Sequence, residues 1–335
     1  MKKILYTNIL IVFLILIVLE IAARVLGLSN LMGTDRNLII DGPGGIHYLR
    51  PNSEGLVFDK KIYTDKNGYR IPRANYSYKN KKKIFIIGDS VALGMGVREE
   101  KTFAGLMRSN LNDHEIYNSS VMGYQIFQFE KTLNNVDKFL PINKIFYFLT
   151  LNDVWQETNI ENVKQENTYT LIEKIKKYIN IDFVHKINIF LRNKSYFYMY
   201  LKGAIFDPSK NWFQNIHAFY SNNQVTNLEQ FVNLLIEKAN KVNSELYIVI
   251  LPYEFQTRKC NENDLLPQKI IKEIMIKNNA NFFDFTADFC KNKNAKKLFY
   301  KYDPMHLSIE GHDLVFNKIK NKMNFWWQNE IGKLL

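Results

Sequence analysis

The residues with the clearest chemical potential are Gly88, Asp89 and Ser90, which directly follow a short apolar run at positions 84–87. Four consecutive apolar residues that end at a glycine are typical of a buried strand in a parallel sheet. Such strands present functional groups at their carboxyl ends, where the free N–H groups of the next helix stabilise developing negative charge. Ser90 is therefore a candidate nucleophile. The alternative is an ordinary strand-to-helix turn in which Asp89 or Ser90 caps the helix.

A candidate base lies near the other end of the sequence. Asp303 stands three residues before His306, in a predicted loop that precedes a helix. A carboxylate at this spacing can orient the imidazole and stabilise its charge, so that His306 acts as a general base toward a serine. The alternative is a chance pairing in which Asp303 only caps a turn.

Two further positions offer hydrogen-bond donors between these motifs. Gly123 closes the segment Asn118–Gly123, and Asn152 follows the apolar run at 145–149. A glycine N–H and an asparagine side-chain amide are both suitable donors for an oxyanion hole. Each residue would also fit a turn that has no catalytic role.

Taken in order, these four blocks resemble the SGNH, or GDSL-type, hydrolase family of esterases and acyltransferases. The matching blocks are Gly88-Asp89-Ser90, Gly123, Asn152-Asp153 and Asp303-Pro304-Met305-His306. The resemblance covers about residues 81–325. It implies an α/β fold with three layers, α/β/α, around a flavodoxin-like parallel sheet.

The resemblance also assigns roles residue by residue. Ser90 would be the nucleophile, His306 its base and Asp303 the carboxylate that orients the base. The backbone N–H of Ser90, the N–H of Gly123 and the side chain of Asn152 would form the oxyanion hole.

These roles imply a serine ester hydrolase that works through an acyl-Ser90 intermediate. Water as the acyl acceptor would make the protein an esterase, and a sugar hydroxyl would make it a polysaccharide O-acyltransferase. A non-catalytic scaffold that binds glycan or a partner is a further alternative. It is favoured by Thr150, because the family's third block usually reads Gly-x-Asn-Asp and Thr150 stands at the glycine position. We expect no cofactor and no zinc site, because the two cysteines have no histidines at matching spacing.

The N-terminal residues predict a single-pass membrane anchor. Positions 1–28 include an unbroken apolar run from Ile9 to Leu19. Glu20 and Arg24 lie four residues apart, so they can pair on one helical face near the far interface. The lysine pair after Met1 favours a cytoplasmic N-terminus and a catalytic domain outside the cytoplasm, in the periplasm or at the cell surface. The alternative is a cleaved signal peptide.

The chain divides into a signal anchor at 1–28, a loop-rich lead segment at 29–80 and an SGNH-like catalytic domain at 81–330. The lead contains Asp65–Arg70, whose Asn-Gly pair is a turn signal; it also resembles a segment ahead of the catalytic domain in membrane-anchored family members. An insertion at about 155–225, rich in Tyr, Phe and Lys, predicts a lid or substrate wall over the nucleophile, or plain packing. Apolar periodicity predicts strands at 84–87, 145–149, 246–251 and 281–285, and helices at 103–111, 125–139, 171–179, 228–242, 267–278 and 308–324.

Charge and cysteine content limit the partners. The net charge is +12, from 45 Lys and Arg against 33 Asp and Glu, and the excess is mostly scattered lysine. The densest cluster, Lys79–Lys83, is interpreted as a solvent-exposed segment that precedes the first core strand. The alternative is a binding site for a polyanion. We expect an acylated glycan or other ester as substrate and no nucleic-acid partner, since no nucleic-acid motif is present. Cys260 and Cys290 could form a disulfide that closes a loop of about thirty residues. Closing such a loop would stabilise the fold by roughly 3–4 kcal/mol. The alternative is that both cysteines are simply small apolar residues.

Overall fold

The computed structural model describes residues 2–79, 81–154, 181–222 and 225–334. Its strands are β1 (Ile39–Asp41), β2 (His47–Leu49), β3 (Glu54–Val57), β4 (Lys60–Thr64), β5 (Arg70–Ile71), β6 (Lys82–Gly88), β7 (His114–Asn118), β8 (Lys144–Leu149), β9 (Glu245–Ile250) and β10 (Phe282–Asp284). Its α-helices are α1 (Lys2–Val25), α2 (Ser90–Leu93), α3 (Phe103–Asn110), α4 (Ile126–Thr132), α5 (Ile181–Lys194), α6 (Tyr196–Phe206), α7 (Pro208–Ser221), α8 (Thr226–Lys241), α9 (Glu254–Thr257), α10 (Leu266–Lys277), α11 (Thr286–Lys291) and α12 (Ile309–Leu334).

The main sheet of the described residues has eight strands in the order β10-β9-β8-β6-β7-β5-β4-β3. The five strands from β10 to β7 are parallel, and β5, β4 and β3 extend the sheet in antiparallel fashion. The central strands β6 and β8 are buried along nearly their whole length. Burial on both faces explains why these two strands are continuous apolar runs in the sequence.

Helices cover both faces of the sheet, as neighbouring residues of β8 show. Tyr147 contacts Phe129 of α4 and Phe231 of α8. Phe148 points to the opposite face, where its ring stacks on Phe103 of α3 at a centroid distance of 4.2 Å. Helix α12 packs against α3 on that same face. The predicted three-layer α/β/α fold is therefore confirmed, with three antiparallel strands added at one edge.

The lead segment differs from the loop-rich expectation, because it supplies those three added strands. β3 and β4 form a hairpin whose two turn residues, Phe58 and Asp59, both have positive φ angles, 49° and 62°. This is the backbone of a type I′ turn, which matches the twist of a hairpin. β5 then pairs with β7 through Arg70 and Asn118. Strands of two to five residues carry too little alternation to be recognised in a sequence.

The described part of the insertion, residues 181–222, consists of helices α5, α6 and α7. Helix α6 contacts both α5 and α1, and α7 packs against α9 and α10. The described part of the insertion is therefore joined to α1 on one side and to α9 and α10 on the other. The predicted helix at 171–179 lies outside the described residues.

The predicted helix at 125–139 is α-helical only as far as Thr132 and continues as a 3-10 helix over Leu133–Phe139. The Thr132 hydroxyl donates back to the carbonyl oxygens of Gln128 and Phe129 at 3.0 and 3.2 Å. Such back-bonding competes with the regular helical hydrogen bonds and bends helices. The change of helix type therefore begins where this hydroxyl intervenes.

Helix α1 contains the predicted anchor. By length and composition, its residues Lys3–Val25 are sufficient to cross a membrane. The large apolar side chains from Ile4 to Leu19 are exposed, and among the described residues the carboxyl-terminal end of α1 is the part that contacts the rest of the chain. Glu20 and Arg24 pair at that end, with 2.7 Å between the carboxylate and the guanidinium.

A disulfide joins Cys260 to Cys290, with their Cα atoms 6.0 Å apart. Cys260 lies shortly after α9, and Cys290 lies in α11. The bond therefore ties together two segments that both precede the Asp303 loop in the chain.

Candidate active site

Ser90 lies where β6 ends and the short helix α2 begins. Asp89 caps this helix, since its Oδ1 accepts a hydrogen bond from the Val91 N–H at 2.8 Å. The sharp turn requires Gly88, because a Cβ atom at that position would lie 2.5 Å from the Cβ of Ala92. The turn presents Ser90 at the carboxyl edge of the sheet with 7% of its surface exposed. Asp89 therefore caps the helix, and Ser90 lies at the edge of the sheet with only a small exposed fraction.

The fold brings the Asp303–His306 loop to this serine across more than 200 residues of sequence. The Nε2 atom of His306 is 2.8 Å from the Oγ of Ser90. On the other side of the ring, Nδ1 is 2.8 Å from Oδ2 and 3.0 Å from Oδ1 of Asp303. Asp303 Oδ1 also accepts the backbone N–H groups of Met305 and His306 at 2.9 and 2.7 Å. The carboxylate thus fixes both the loop and the ring that it orients.

The charges of this pair stabilise each other. Burial alone would raise the pKa of Asp303, but the His306 charge and the hydrogen bonds hold it below its usual range. Burial alone would lower the pKa of His306, but the charges of Asp303 and Asp89 raise it above its usual value. A base with a raised pKa and an ionised carboxylate behind it can accept a proton from a serine hydroxyl.

Asn152 stands in the 3-10 turn Leu151–Val154, directly after β8. Its Oδ1 accepts a hydrogen bond from the Tyr253 hydroxyl at 2.6 Å and lies 3.0 Å from the Thr150 hydroxyl. Because the Tyr253 hydroxyl donates to Oδ1, the Nδ2 atom points the other way, to 3.3 Å from Asp89 Oδ2. The amide is therefore held beside the nucleophile turn as a hydrogen-bond donor, which is what an oxyanion hole needs.

Two buried carboxyl groups, those of Asp89 and Asp153, lie behind Ser90 and are bridged by Thr150. The Thr150 Oγ1 is 3.0 Å from Asp89 Oδ2 and 3.0 Å from Asp153 Oδ1. Burial raises the pKa of both groups, and the Asp89 charge raises the pKa of Asp153 further. One hydroxyl has one proton to donate, so the bridge is complete when Asp153 is protonated and Thr150 donates to Asp89. A threonine at the family's usual glycine position is therefore accommodated by hydrogen bonds.

Gly123 lies on the loop after β7 and has a φ of 73°, in the left-handed region that favours glycine. This loop runs beside the end of β6, where the Val121 N–H donates to the Gly88 carbonyl at 3.3 Å. The next residue, Met122, accepts a hydrogen bond from His47 Nε2 at 2.7 Å. The loop that carries Gly123 thus contacts the end of β6 through Val121, whereas Asn152 contacts Asp89 with its own side chain.

Two residues of the lead segment support the site in ways that the sequence did not indicate. The guanidinium of Arg70 is buried and donates to the carbonyl oxygens of Leu93, Gly94 and Val97 at 2.5 to 2.7 Å, which holds the loop after α2. The ring of Phe58 packs edge-on against His306 with 5.1 Å between centroids. Neither contact has a local signal, because each joins residues that are distant in the sequence.

A cavity of about 390 Å³ lies on one side of His306. Its walls come from the lead segment, the insertion helices and the Asp303 loop, and they include Met32, Phe58, Arg192, Met199, Lys202, Trp212 and Met305. The cavity is mainly apolar with two cations, and the insertion borders it beside His306. Within the described ranges, no group of three or more His, Cys, Asp or Glu side chains is arranged to hold a metal ion.

No protein-family model matches the chain, and no curated protein matches it. Several solved structures do match the chain. The acetyl xylan esterase AlAXEase has 17% identity and a TM-score of 0.42, over 72% of this chain and 98% of its own. A lipolytic G-D-S-L family protein from Veillonella parvula has 13% identity and a TM-score of 0.40, over 72% and 97%. A lipase/acylhydrolase from Enterococcus faecalis has 12% identity and a TM-score of 0.40, over 72% and 96%. By their names these similar structures are an esterase, a lipolytic protein of the G-D-S-L family and a lipase/acylhydrolase.

Proposed function

We propose that this chain is a serine ester hydrolase of the SGNH type. The observation that carries the proposal is the continuous hydrogen-bonded series from Ser90 through His306 to Asp303, with 2.8 Å at each step. A hydroxyl, an imidazole and an ionised carboxylate in this order form the arrangement that activates a serine for attack on a carbonyl carbon.

The reaction begins when the Oγ of Ser90 attacks the ester carbonyl and His306 Nε2 takes the hydroxyl proton. Asp303 stabilises the imidazolium that forms. The negative oxygen of the tetrahedral intermediate is bound by the N–H groups of Ser90 and Gly123 and by the Asn152 amide. Collapse of the intermediate releases the alcohol, which receives its proton from His306, and leaves an acyl-Ser90.

The second half of the reaction repeats the first with a different nucleophile. His306 removes a proton from water, and the resulting hydroxide attacks the acyl carbon. A second tetrahedral intermediate collapses to the free acid and returns the proton to Ser90. A sugar hydroxyl in the place of water would transfer the acyl group to a glycan by the same steps.

We further propose that the substrate carries O-acyl groups, in particular O-acetyl groups of cell-surface polysaccharide or peptidoglycan. The support is the apolar helix at Lys3–Val25 and the lysine pair before it, which favour a catalytic domain outside the cytoplasm. Esters at that location are those of the cell envelope. The acetyl xylan esterase among the similar structures acts, by its name, on an ester of the same chemical kind.

The test is acetate release by the purified full-length chain from p-nitrophenyl acetate, O-acetylated xylan and O-acetylated peptidoglycan, with Ser90→Ala as the matched control. We expect release by the parent that is lost in the variant. Acetylated sugar in place of free acetate, when an acceptor glycan is added, would identify the transferase. A folded parent that binds glycan without turnover of any ester would contradict the proposal and leave the non-catalytic scaffold.

A further inference from the structure

Helices α5 and α6 of the insertion carry exposed apolar side chains. On α5 they include Val184, Ile187 and Phe190, which are spaced three residues apart and have exposed fractions of 47%, 41% and 62%. Residues at this spacing share one side of a helix. On α6, Ile205 and Phe206 are 63% and 61% exposed. Soluble domains seldom present groups of large apolar side chains to water unless those groups have a binding partner.

The junction between these two helices is fastened to the end of the anchor helix. The Glu20 carboxylate accepts hydrogen bonds from the Ser195 hydroxyl at 2.8 Å and from the N–H groups of Tyr196 and Phe197 at 3.0 Å. Arg24 donates to the Lys194 carbonyl at 2.7 Å. Glu20 is five residues before the end of α1 at Val25, a rise of about 7–8 Å. The α5–α6 junction therefore lies at the level where the apolar helix leaves a bilayer.

The charge of the helix pair favours an anionic surface. Residues 181–206 contain four cations, Lys186, Arg192, Lys194 and Lys202, against the single carboxylate of Asp182. A helix that combines exposed apolar side chains with lysine and arginine is typical of binding in the headgroup region of anionic membranes.

The candidate active site is close to this level. Met32 is the seventh residue after Val25 and lines the cavity beside His306. Seven residues span at most about 25 Å even when fully extended. Arg192 and Lys202, from the helix pair itself, line the same cavity.

We propose that α5 and α6 lie on the surface of the anionic bilayer that holds α1, and that they turn the cavity beside His306 toward esters carried at that surface. The inference rests on the proposed function for its substrate class and on α1 for its bilayer. The apolar side chains contact lipid, and the substrate is an ester held at the membrane surface.

The first test is photocrosslinking of the full-length chain in nanodiscs of phosphatidylglycerol and phosphatidylcholine. Benzoylphenylalanine is placed, one position at a time, at Ile187, Phe190 or Ile205. Ile276, which is 67% exposed on α10, is the matched apolar control, and Ile11 in α1 is the positive control. We expect lipid adducts at the three test positions and at Ile11, with at least a fivefold lower yield at Ile276.

Adducts with lipid at Ile11 but not at Ile187, Phe190 or Ile205 would overturn the proposal. Crosslinks from these three positions to the chain itself would overturn it equally. Absence of lipid adducts at Ile11 would show that α1 does not lie in the bilayer. Because the inference depends on that placement, this result would also overturn it. None of these results depends on turnover, so they are separate from a failure of the proposed function.

The second test compares two substrates with the Ile187→Glu, Phe190→Glu double variant, and uses Ile276→Glu as control. We expect hydrolysis of soluble p-nitrophenyl acetate to stay within twofold of the parent, and hydrolysis of a long-chain ester embedded in anionic vesicles to fall at least fivefold. Equal rates on the vesicle substrate for parent and double variant would overturn the proposal. If the parent itself does not hydrolyse soluble p-nitrophenyl acetate, the proposed function is contradicted instead.

Discussion

Buried carboxyl groups lie on two sides of Ser90, one on the first side and two on the other, and the two sides differ in what these groups contact. Asp303, on one side, faces the imidazole of His306, and its pKa lies below the usual range. Asp89 and Asp153, on the other side, share the hydroxyl of Thr150, and their pKa values lie above the usual range. All three carboxyl groups are almost fully buried.

Burial alone therefore does not decide the role of a carboxyl group in this site. Removal from water disfavours the charged form in all three cases. At Asp303 the neighbouring imidazolium and two backbone N–H groups outweigh that cost, so this group stays ionised and can support proton transfer. Asp89 and Asp153 have neutral hydrogen-bond donors and repel each other, and at Asp89 the His306 charge does not outweigh burial. The pair therefore retains a proton and serves as a framework behind Ser90.

The largest effect should come from Asp303→Asn. The amide keeps the shape but removes the charge that holds His306 in the required tautomer and stabilises its imidazolium. We expect kcat for ester hydrolysis to fall by about 10⁴, with KM little changed. Steady-state kinetics on p-nitrophenyl acetate measure this, and a loss below tenfold would show that the carboxylate does not support the base.

The next effect in size should come from Asn152→Ala, which removes one proposed oxyanion donor. We expect a loss of about 10²–10³ in kcat. Tyr253→Phe removes only the hydrogen bond that orients this amide, so its loss should be smaller and should also appear in kcat. An Asn152→Ala variant with a higher KM and an unchanged kcat would assign the amide to ground-state binding instead.

The pH dependence of the rate tests whether Asp303 raises the pKa of His306. Catalysis needs neutral His306, and its pKa is raised, so kcat/KM should increase with pH through an acid limb above the ordinary histidine value of about 6.5. Below that limb, the rate should fall about tenfold per pH unit. In Asp303→Asn the residual activity should have its limb at lower pH, and an unshifted limb would show that Asp303 does not raise the pKa of His306.

A smaller effect, on stability, should follow Thr150→Val on the other side of the nucleophile. The valine keeps the volume but leaves the two carboxyl groups without their shared hydroxyl, at a cost of about 1–3 kcal/mol. Urea unfolding measures this change. Thr150→Ser keeps the hydroxyl and should lie close to the parent, and equal stability of the valine variant would show that the bridge contributes nothing.

The smallest effect should come from Asp153→Asn, because a neutral amide resembles a protonated carboxyl. We expect stability at neutral pH within about 1 kcal/mol of the parent, and activity within a few fold. The pKa of Asp153 is higher in the folded than in the unfolded chain, so the contribution of this group to stability is fully present below its unfolded pKa and is lost as pH rises through its folded pKa. The variant should lack this loss in urea unfolding at increasing pH, and a parallel decline in both proteins would contradict the protonated state.

The sequence predicts those parts of the molecule whose causes are local. The apolar runs of β6 and β8 are continuous because both faces of each strand are buried, so they were recognisable. Gly88 is required by a close approach within its own turn, and the spacing of Asp303 and His306 lies within a single loop.

The contacts that remained unpredicted join distant residues. Arg70 holds a loop more than twenty residues away, and Tyr253 orients an amide about a hundred residues earlier in the chain. The short lead strands gain their pairing from β7 and not from their own pattern. Thr150 departs from the family motif, and its role as a bridge depends on two carboxyl groups that only the fold brings together.

The central claim is that Ser90 is activated by His306, and covalent labelling with a fluorophosphonate probe tests it most directly. The full-length chain, Ser90→Ala and His306→Ala are compared at equal concentration, with circular dichroism to establish that each is folded. We expect the parent to be labelled and neither variant to carry label. A folded parent that does not react, or a Ser90→Ala variant that labels as strongly as the parent, would contradict this claim.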